Sequence, residues 1–443
     1  MKRLRHHLLL LGCAVLVSCG GPAVSIATST PPHPAGLRPT ATVAPAHLWL
    51  VTAGTAVRNV EVYDTRTATM GPRLPAGVVS ADGHVLYAVT TGDTNVLRSF
   101  DIRSGAAIDT AGTPVGFDLP RLGVAERPTG LSPNGRHLVL VGQGSGGDVQ
   151  PTVSRFLLYD TSSLGAAPVR VSLAGFFEYD AISNDGRNLY LLEHIRSGVD
   201  APPGYHVRRY DLAAHRLDPA VLVDKRIGES ELSGTALDST VSADGAWQYT
   251  VYALGDGHPM IHALNLDAQA SFCIDLPAAP VNQEMDLLWG VVASHDGRFV
   301  YALNAGNGAV LRMPVSQPWE ASRGVFTVPA PVGTQAWHPW EPLTVEAKRI
   351  AFGAVVISRD DRTLYGLGDH GIFAVDAAAL TSTGSRLLPT QPLSSLVLSG
   401  DGRQLYATSE DADYPLLQVN PANGRWAVIS KAGRPISVLL ALP

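Results

Sequence analysis

The chain is 443 residues long, 45% hydrophobic and 16% charged, with a formal net charge of −6. That acidic balance argues against nucleic acid and anionic lipid surfaces as partners, and three cysteines are too few for a disulfide scaffold. Length alone suggests two or three domains.

Residues 1–7 carry Lys2, Arg3 and Arg5, and residues 8–17 are an apolar run of ten. Such a run is too short to span a bilayer as a stable helix and fits a secretory signal. It ends on Leu16-Val17-Ser18-Cys19, which resembles the bacterial lipobox, so residues 1–18 are expected to be a lipoprotein signal peptide and Cys19 the lipidated residue. Residues 19–45 are rich in Pro, Ala and Thr and nearly uncharged, which predicts a disordered tether. Cys13 goes with the signal, leaving Cys273 in an alternating run as a small buried hydrophobe rather than a nucleophile.

From residue 46 onward one cassette recurs seven times. It reads Ser80-Ala-Asp-Gly-His-Val-Leu-Tyr87, Ser132-Pro-Asn-Gly-Arg-His-Leu-Val139, Ser183-Asn-Asp-Gly-Arg-Asn-Leu-Tyr190 and Ser242-Ala-Asp-Gly-Ala-Trp-Gln-Tyr249. It returns as Ser294-His-Asp-Gly-Arg-Phe-Val-Tyr301, Ser358-Arg-Asp-Asp-Arg-Thr-Leu-Tyr365 and Ser399-Gly-Asp-Gly-Arg-Gln-Leu-Tyr406. Asp-Gly between short apolar runs is a tight hairpin, because Gly tolerates positive φ and Asp caps the turn. Residues 290–313 show the unit: strand, Asp296-Gly297 turn, strand, Gly-Asn-Gly break, strand. Most repeats add a fourth run, and nothing of helical period competes. Four antiparallel strands repeated around a ring predict an all-β fold, a single β-propeller.

The cassettes resemble the YVTN-type β-propeller repeat family of bacterial surface and periplasmic proteins, over roughly residues 46–443. That resemblance implies the fold and is nearly silent on activity. The residues at the cassette Gly position (83, 135, 186, 245, 297, 361 and 402) are spaced by 52, 51, 59, 52, 64 and 41, so the long steps should carry inserted loops. Two strand-like runs precede the first cassette, residues 47–51 and 57–64, and one lone run, residues 436–442, follows the last repeat. Joined, they predict eight blades rather than seven, with the ring closed by strands from both ends.

The turn aspartates are read as structural, one per blade. Gly142-Gln-Gly-Ser-Gly-Gly147 matches a dinucleotide fingerprint, but a strand-like run follows where a helix is required, so no phosphate site and no cofactor is expected. His and Cys lack metal-ligand spacing, and no metal site is predicted. Binding residues are expected on the opposite face, in loops at residues 142–154, 193–206 and 335–349, and at the entries to first strands. The candidate ligand face comprises Glu126, Arg127, Tyr179, Arg196, Tyr205, His206, Trp337, His338, Trp340, Lys348 and Arg349.

Three functional readings remain open. The first is a lipid-anchored, monomeric binding module on the extracytoplasmic side of the cell envelope, with a protein, peptide or carbohydrate partner. The second is an enzyme, since propellers of related kind include lactonases, lyases and dehydrogenases; Glu178, Asp180, Glu193, His194, Glu284 and Asp286 would then be the catalytic candidates. The third is a structural envelope protein.

Overall fold

A computed structural model describes residues 49–442 apart from 54–58, 92–93, 124–126, 143–150, 196–203, 227, 229–230, 254–258, 278–286, 329–353, 369–370, 389–392, 410–415 and 430–436. Among these residues lie eight antiparallel sheets of at least four strands. Blade 1 pairs Trp49–Ala53, Asn59–Asp64 and Thr69–Pro75 with the C-terminal strand Ser437–Leu442, which takes the innermost place. Its register, Trp49↔Leu442 to Ala53↔Ser437, is the predicted closure of the ring. A sheet closed from both chain ends leaves no free edge between blades 1 and 8.

The remaining blades follow in chain order. Blade 2 is Val78–Val79, Val85–Thr90, Asn95–Asp101 and Ala107–Thr113. Blade 3 is Phe117–Asp118, His137–Gly142, Val153–Asp160 and Val169–Ala174. Blade 4 is Phe177–Ile182, Asn188–Ile195, Gly204–Asp211 and Arg216–Leu222, with Leu232–Ser233 also paired to its third strand. Blade 5 is Thr235–Val241, Trp247–Ala253, Met260–Asn265 and Ala270–Asp275. Blade 6 begins at Trp289–Ala293, blade 7 at Val355–Ile357 and blade 8 at Leu393–Leu398.

Eight hydrophobic clusters hold the ring, one between each pair of neighbouring blades. Blades 1 and 2 share Val62 and Leu86, blades 4 and 5 share Val207 and Leu264, and blades 8 and 1 share Tyr406 and Tyr63. The seventh cassette position feeds these clusters: Leu86, Leu138, Leu189, Val300, Leu364 and Leu405 are all 0% exposed. Burying each such side chain contributes about 1.5–3 kcal/mol.

The polar cassette positions build the turn. Ser80 Oγ donates to Asp82 Oδ1 at 2.5 Å and accepts from the Val85 amide at 3.0 Å, while Asp82 also accepts from the His84 amide. Every cassette repeats the Ser–Asp bond, with Asn134 standing in at the second. The glycine at each turn has φ near +70°, and Asp361 replaces it at φ +57°. That substitution serves the neighbouring blade: Asp361 accepts from the backbone amides of His295 and Asp296 at 2.8 and 2.9 Å.

Blade 3 departs from the pattern. Its first strand touches the sheet only at the ends, through Val141↔Asp118 and the Leu131↔Leu138 bridge. Between them the chain leaves the blade as a small hairpin, Arg121–Leu122 against Arg127–Pro128. The hairpin reaches the first strand of blade 5. Arg127 Nη2 lies 2.6 Å from Asp238 Oδ1, and a Cβ on Gly123 would stand 2.0 Å from the Ala236 carbonyl oxygen, so only glycine fits. The regular cassette spacing gave no sign of this excursion.

Candidate functional site

The hairpin, the first strands of blades 2, 4 and 5 and the inner end of blade 3 line a half-open cavity of about 1090 Å³. That is the size of a pocket for a small organic ligand. Blade 4 supplies its chemistry, through Glu178, Tyr179 and Asp180 on the first strand, His194 on the second and Tyr205 on the third.

Asp180 owes its position to a β-bulge. Pairing runs Tyr179↔Leu191 and then Ala181↔Tyr190, leaving Asp180 as the extra residue. A bulge re-aims side chains locally, and here Glu178, Tyr179 and Asp180 all border the cavity although they are consecutive. The residue is half-buried, but its Oδ2 is sealed from solvent and has no hydrogen-bond partner. Oδ1 accepts from Gln248 Nε2 at 3.1 Å, and the same nitrogen reaches the Asp180 carbonyl at 3.2 Å. Burial pushes the carboxyl up to about 7, since low polarity disfavours the charged form. Burial, then the Asp180 charge, also raises the Tyr179 phenol far above its ordinary value.

An aromatic strip runs beside this carboxyl. Phe176 stacks on His194 at 4.1 Å between centroids, Tyr205 follows at 6.2 Å from His194, and Tyr252 of blade 5 lies 5.6 Å beyond. His194 Nε2 is 2.8 Å from Glu178 Oε2. The Tyr205 hydroxyl is buried without a bond of good geometry. Burial and then the Asp180 charge push it up, and the nearby Tyr252 hydroxyl offsets only part of this.

The sequence candidates divide. Glu178, Tyr179, Asp180, His194 and Tyr205 come together around the cavity. Glu193 does not: it alternates with His194 and forms an ion pair with Arg208, whose second nitrogen holds the Asp218 carbonyl at 2.8 Å. His206 sits opposite Glu193 in the same ladder, and Arg127 is tied to Asp238; neither borders the cavity. The segment expected as a loop at 193–206 is strand at both ends, because the second and third strands of blade 4 run on through Ile195 and from Gly204. Cys273 is half-buried in the last strand of blade 5, less enclosed than its alternating context suggested. Cys19, Glu126, Arg196, Glu284, Asp286, Trp337, His338, Trp340, Lys348 and Arg349 lie outside the described residues.

Gln248 was missed, and the cassette holds the signal for it. It occupies the seventh cassette position, where the other six copies carry buried Leu or Val. An amide there trades aliphatic burial for a bond to Asp180.

No sequence-family profile and no curated protein matches the chain. Among solved structures it is similar to AztD of Citrobacter koseri, at 10% identity and a TM-score of 0.53 over 89% of this chain and 97% of that one. The apo form of the same protein gives 11% and 0.53. It is also similar to dihydro-heme d1 dehydrogenase NirN in complex with DHE, at 14% identity and a TM-score of 0.50 over 93% of this chain and 78% of that one. At these identities the likeness is one of fold, and the chain is a β-propeller.

Proposed function

We propose that this chain is a lipid-anchored extracytoplasmic β-propeller that binds a small polar ligand in its channel cavity. One observation carries the reading: a cavity of about 1090 Å³ at the inner ends of the blades brings Glu178, Asp180, His194 and Tyr205 into one wall. The lipobox-like Leu16-Val17-Ser18-Cys19 supports the anchor.

The test is a thermal-shift screen of the full chain in detergent against sugars, amines and small peptides, repeated on Asp180→Asn. A stabilising compound whose effect disappears in the variant is expected. If nothing shifts the parent and an envelope pull-down instead recovers a protein insensitive to Asp180→Asn, the cavity is not the binding site. A Cys19→Ser chain should leave the membrane fraction; retention there would rule out this anchor.

A catalytic reading is favoured by the Glu178–His194 contact of 2.8 Å beside a carboxyl that titrates near neutrality, since acid–base chemistry needs groups poised there. Hydrolysis of a lactone or ester panel, lost in His194→Gln with ligand affinity retained, would establish it over binding alone.

A further inference from the structure

The excursion of blade 3 has a firm base, a loose arm and one latch. We infer that it is a strap at the channel cavity, held down by the Arg127–Asp238 ion pair, and that release of this pair opens the cavity to solutes.

The base is fixed in blade 3. Leu119 is 2% exposed, and Pro120 and Gly130 are buried. The Pro120 carbonyl accepts from the Thr129 amide at 2.8 Å, and the Gly130 carbonyl from the Val139 amide at 2.9 Å. Gly130 has φ +112°, and a Cβ there would stand 2.6 Å from the Val139 carbonyl oxygen, so the chain rejoins the blade at a position that only glycine fills.

Beyond the base the grip is slight. Arg121 and Arg127 are exposed, Leu122, Gly123 and Pro128 are half-buried, and none of these arm residues is fully enclosed. Two paired strands of two residues each are too short to be stable alone. Gly123 meets the Ala236 carbonyl backbone to backbone, with no side chain of its own to interlock. Segments with few buried apolar contacts open at low cost.

The catch is preformed. In blade 5 pairing runs Ala236↔Tyr252 and then Asp238↔Val251, leaving Leu237 as the bulge residue. Asp238 Oδ2 accepts from the Val291 amide of blade 6 at 2.9 Å, which fixes the carboxylate while Oδ1 takes Arg127 Nη2 at 2.6 Å. The arginine side chain is 46% exposed, and an ion pair so open to solvent holds weakly and is screened by salt. Leu122, Gly123 and Pro128 line the same cavity as Glu178 and His194, so lifting the arm widens that cavity.

Ser239→Cys places a thiol in the cavity wall. The full chain in detergent is treated with a bulky maleimide, and labelling is followed by mass spectrometry on the peptide that carries residue 239. Adding Arg127→Ala should speed labelling about five-fold, the size of one exposed ion pair, while Arg127→Lys stays near the parent. Raising NaCl to about 1 M should speed the parent about two- to three-fold and leave Arg127→Ala unchanged. Hydrogen exchange is the second readout: the Leu119–Leu131 peptide should exchange faster in Arg127→Ala, and the blade 5 strand Trp247–Ala253 should not. Labelling and exchange indifferent to Arg127→Ala and to salt would make the hairpin a fixed wall and overturn the strap. Faster exchange throughout blade 5 would also overturn it, making the ion pair a support of the ring. Neither readout depends on which ligand the cavity takes.

Discussion

The cassette turns and the channel wall of blade 4 use similar polar residues to opposite ends. In the turns, each aspartate or asparagine side chain accepts from a serine hydroxyl and from the amide two residues on. Those bonds, the serine's first, hold Asp82, Asp244 and Asp360 below the ordinary carboxylate range. In the wall, Asp180 keeps one oxygen bare and is pushed up to about 7. Seven satisfied turns repeat because any blade needs a hairpin. Among the described residues, Asp180 is the one buried carboxyl with an oxygen that accepts no hydrogen bond.

The largest expected effect removes the frame that supports both regions. Deleting residues 436–443 takes the innermost strand from blade 1 and leaves Trp49–Ala53 as an unpaired edge. Calorimetry should show a melting temperature lower by about 10 °C or more, or no cooperative transition. A change within about 2 °C would mean that the ring does not depend on this closure.

The comparison itself is sharpened by substituting one aspartate from each region. Asp244→Ala removes a turn acceptor for Ser242 and Ala246 and should destabilise by about 1–2 kcal/mol at neutral pH. Asp180→Asn should act in the opposite direction. A carboxyl raised from 3.8 to about 7 in the fold contributes stability below pH 4 that is lost as pH rises toward 7. The amide escapes that loss. Urea unfolding should therefore show the two proteins alike at pH 4 and the variant more stable by about 1–3 kcal/mol at pH 8. A variant less stable at pH 8 would mean that Asp180 is already paired in solution.

Much of this arrangement was readable from residues. The Asp-Gly pairs give the hairpins, and the unmatched runs at residues 47–64 and 436–442 give the eighth blade, because both depend on local chemistry and counting. Glu178 and Asp180 are placed near the channel by strand order, and His194 by the long segment at residues 193–206. Their neighbour Glu193 lies off the cavity beside Arg208, since residues 193–195 are strand and alternation along a strand sends adjacent side chains to opposite faces. The blade 3 hairpin was invisible, because an excursion inside a step of ordinary length leaves the cassette spacing unchanged.

The smallest effect concerns Gln248, which belongs to both regions: a cassette position by sequence, a wall residue by contact. Gln248→Leu restores the side chain that five of the other six cassettes carry, so packing should change stability by less than about 1 kcal/mol. It also strips Asp180 Oδ1 of the side-chain hydrogen bond it accepts from Gln248 Nε2. A donor to a carboxylate favours its charged form, so its loss should move the Asp180 midpoint further above 7, measurable by carboxyl NMR titration against the parent. An unmoved midpoint would make Gln248 a packing residue and leave burial as the whole origin of the Asp180 shift.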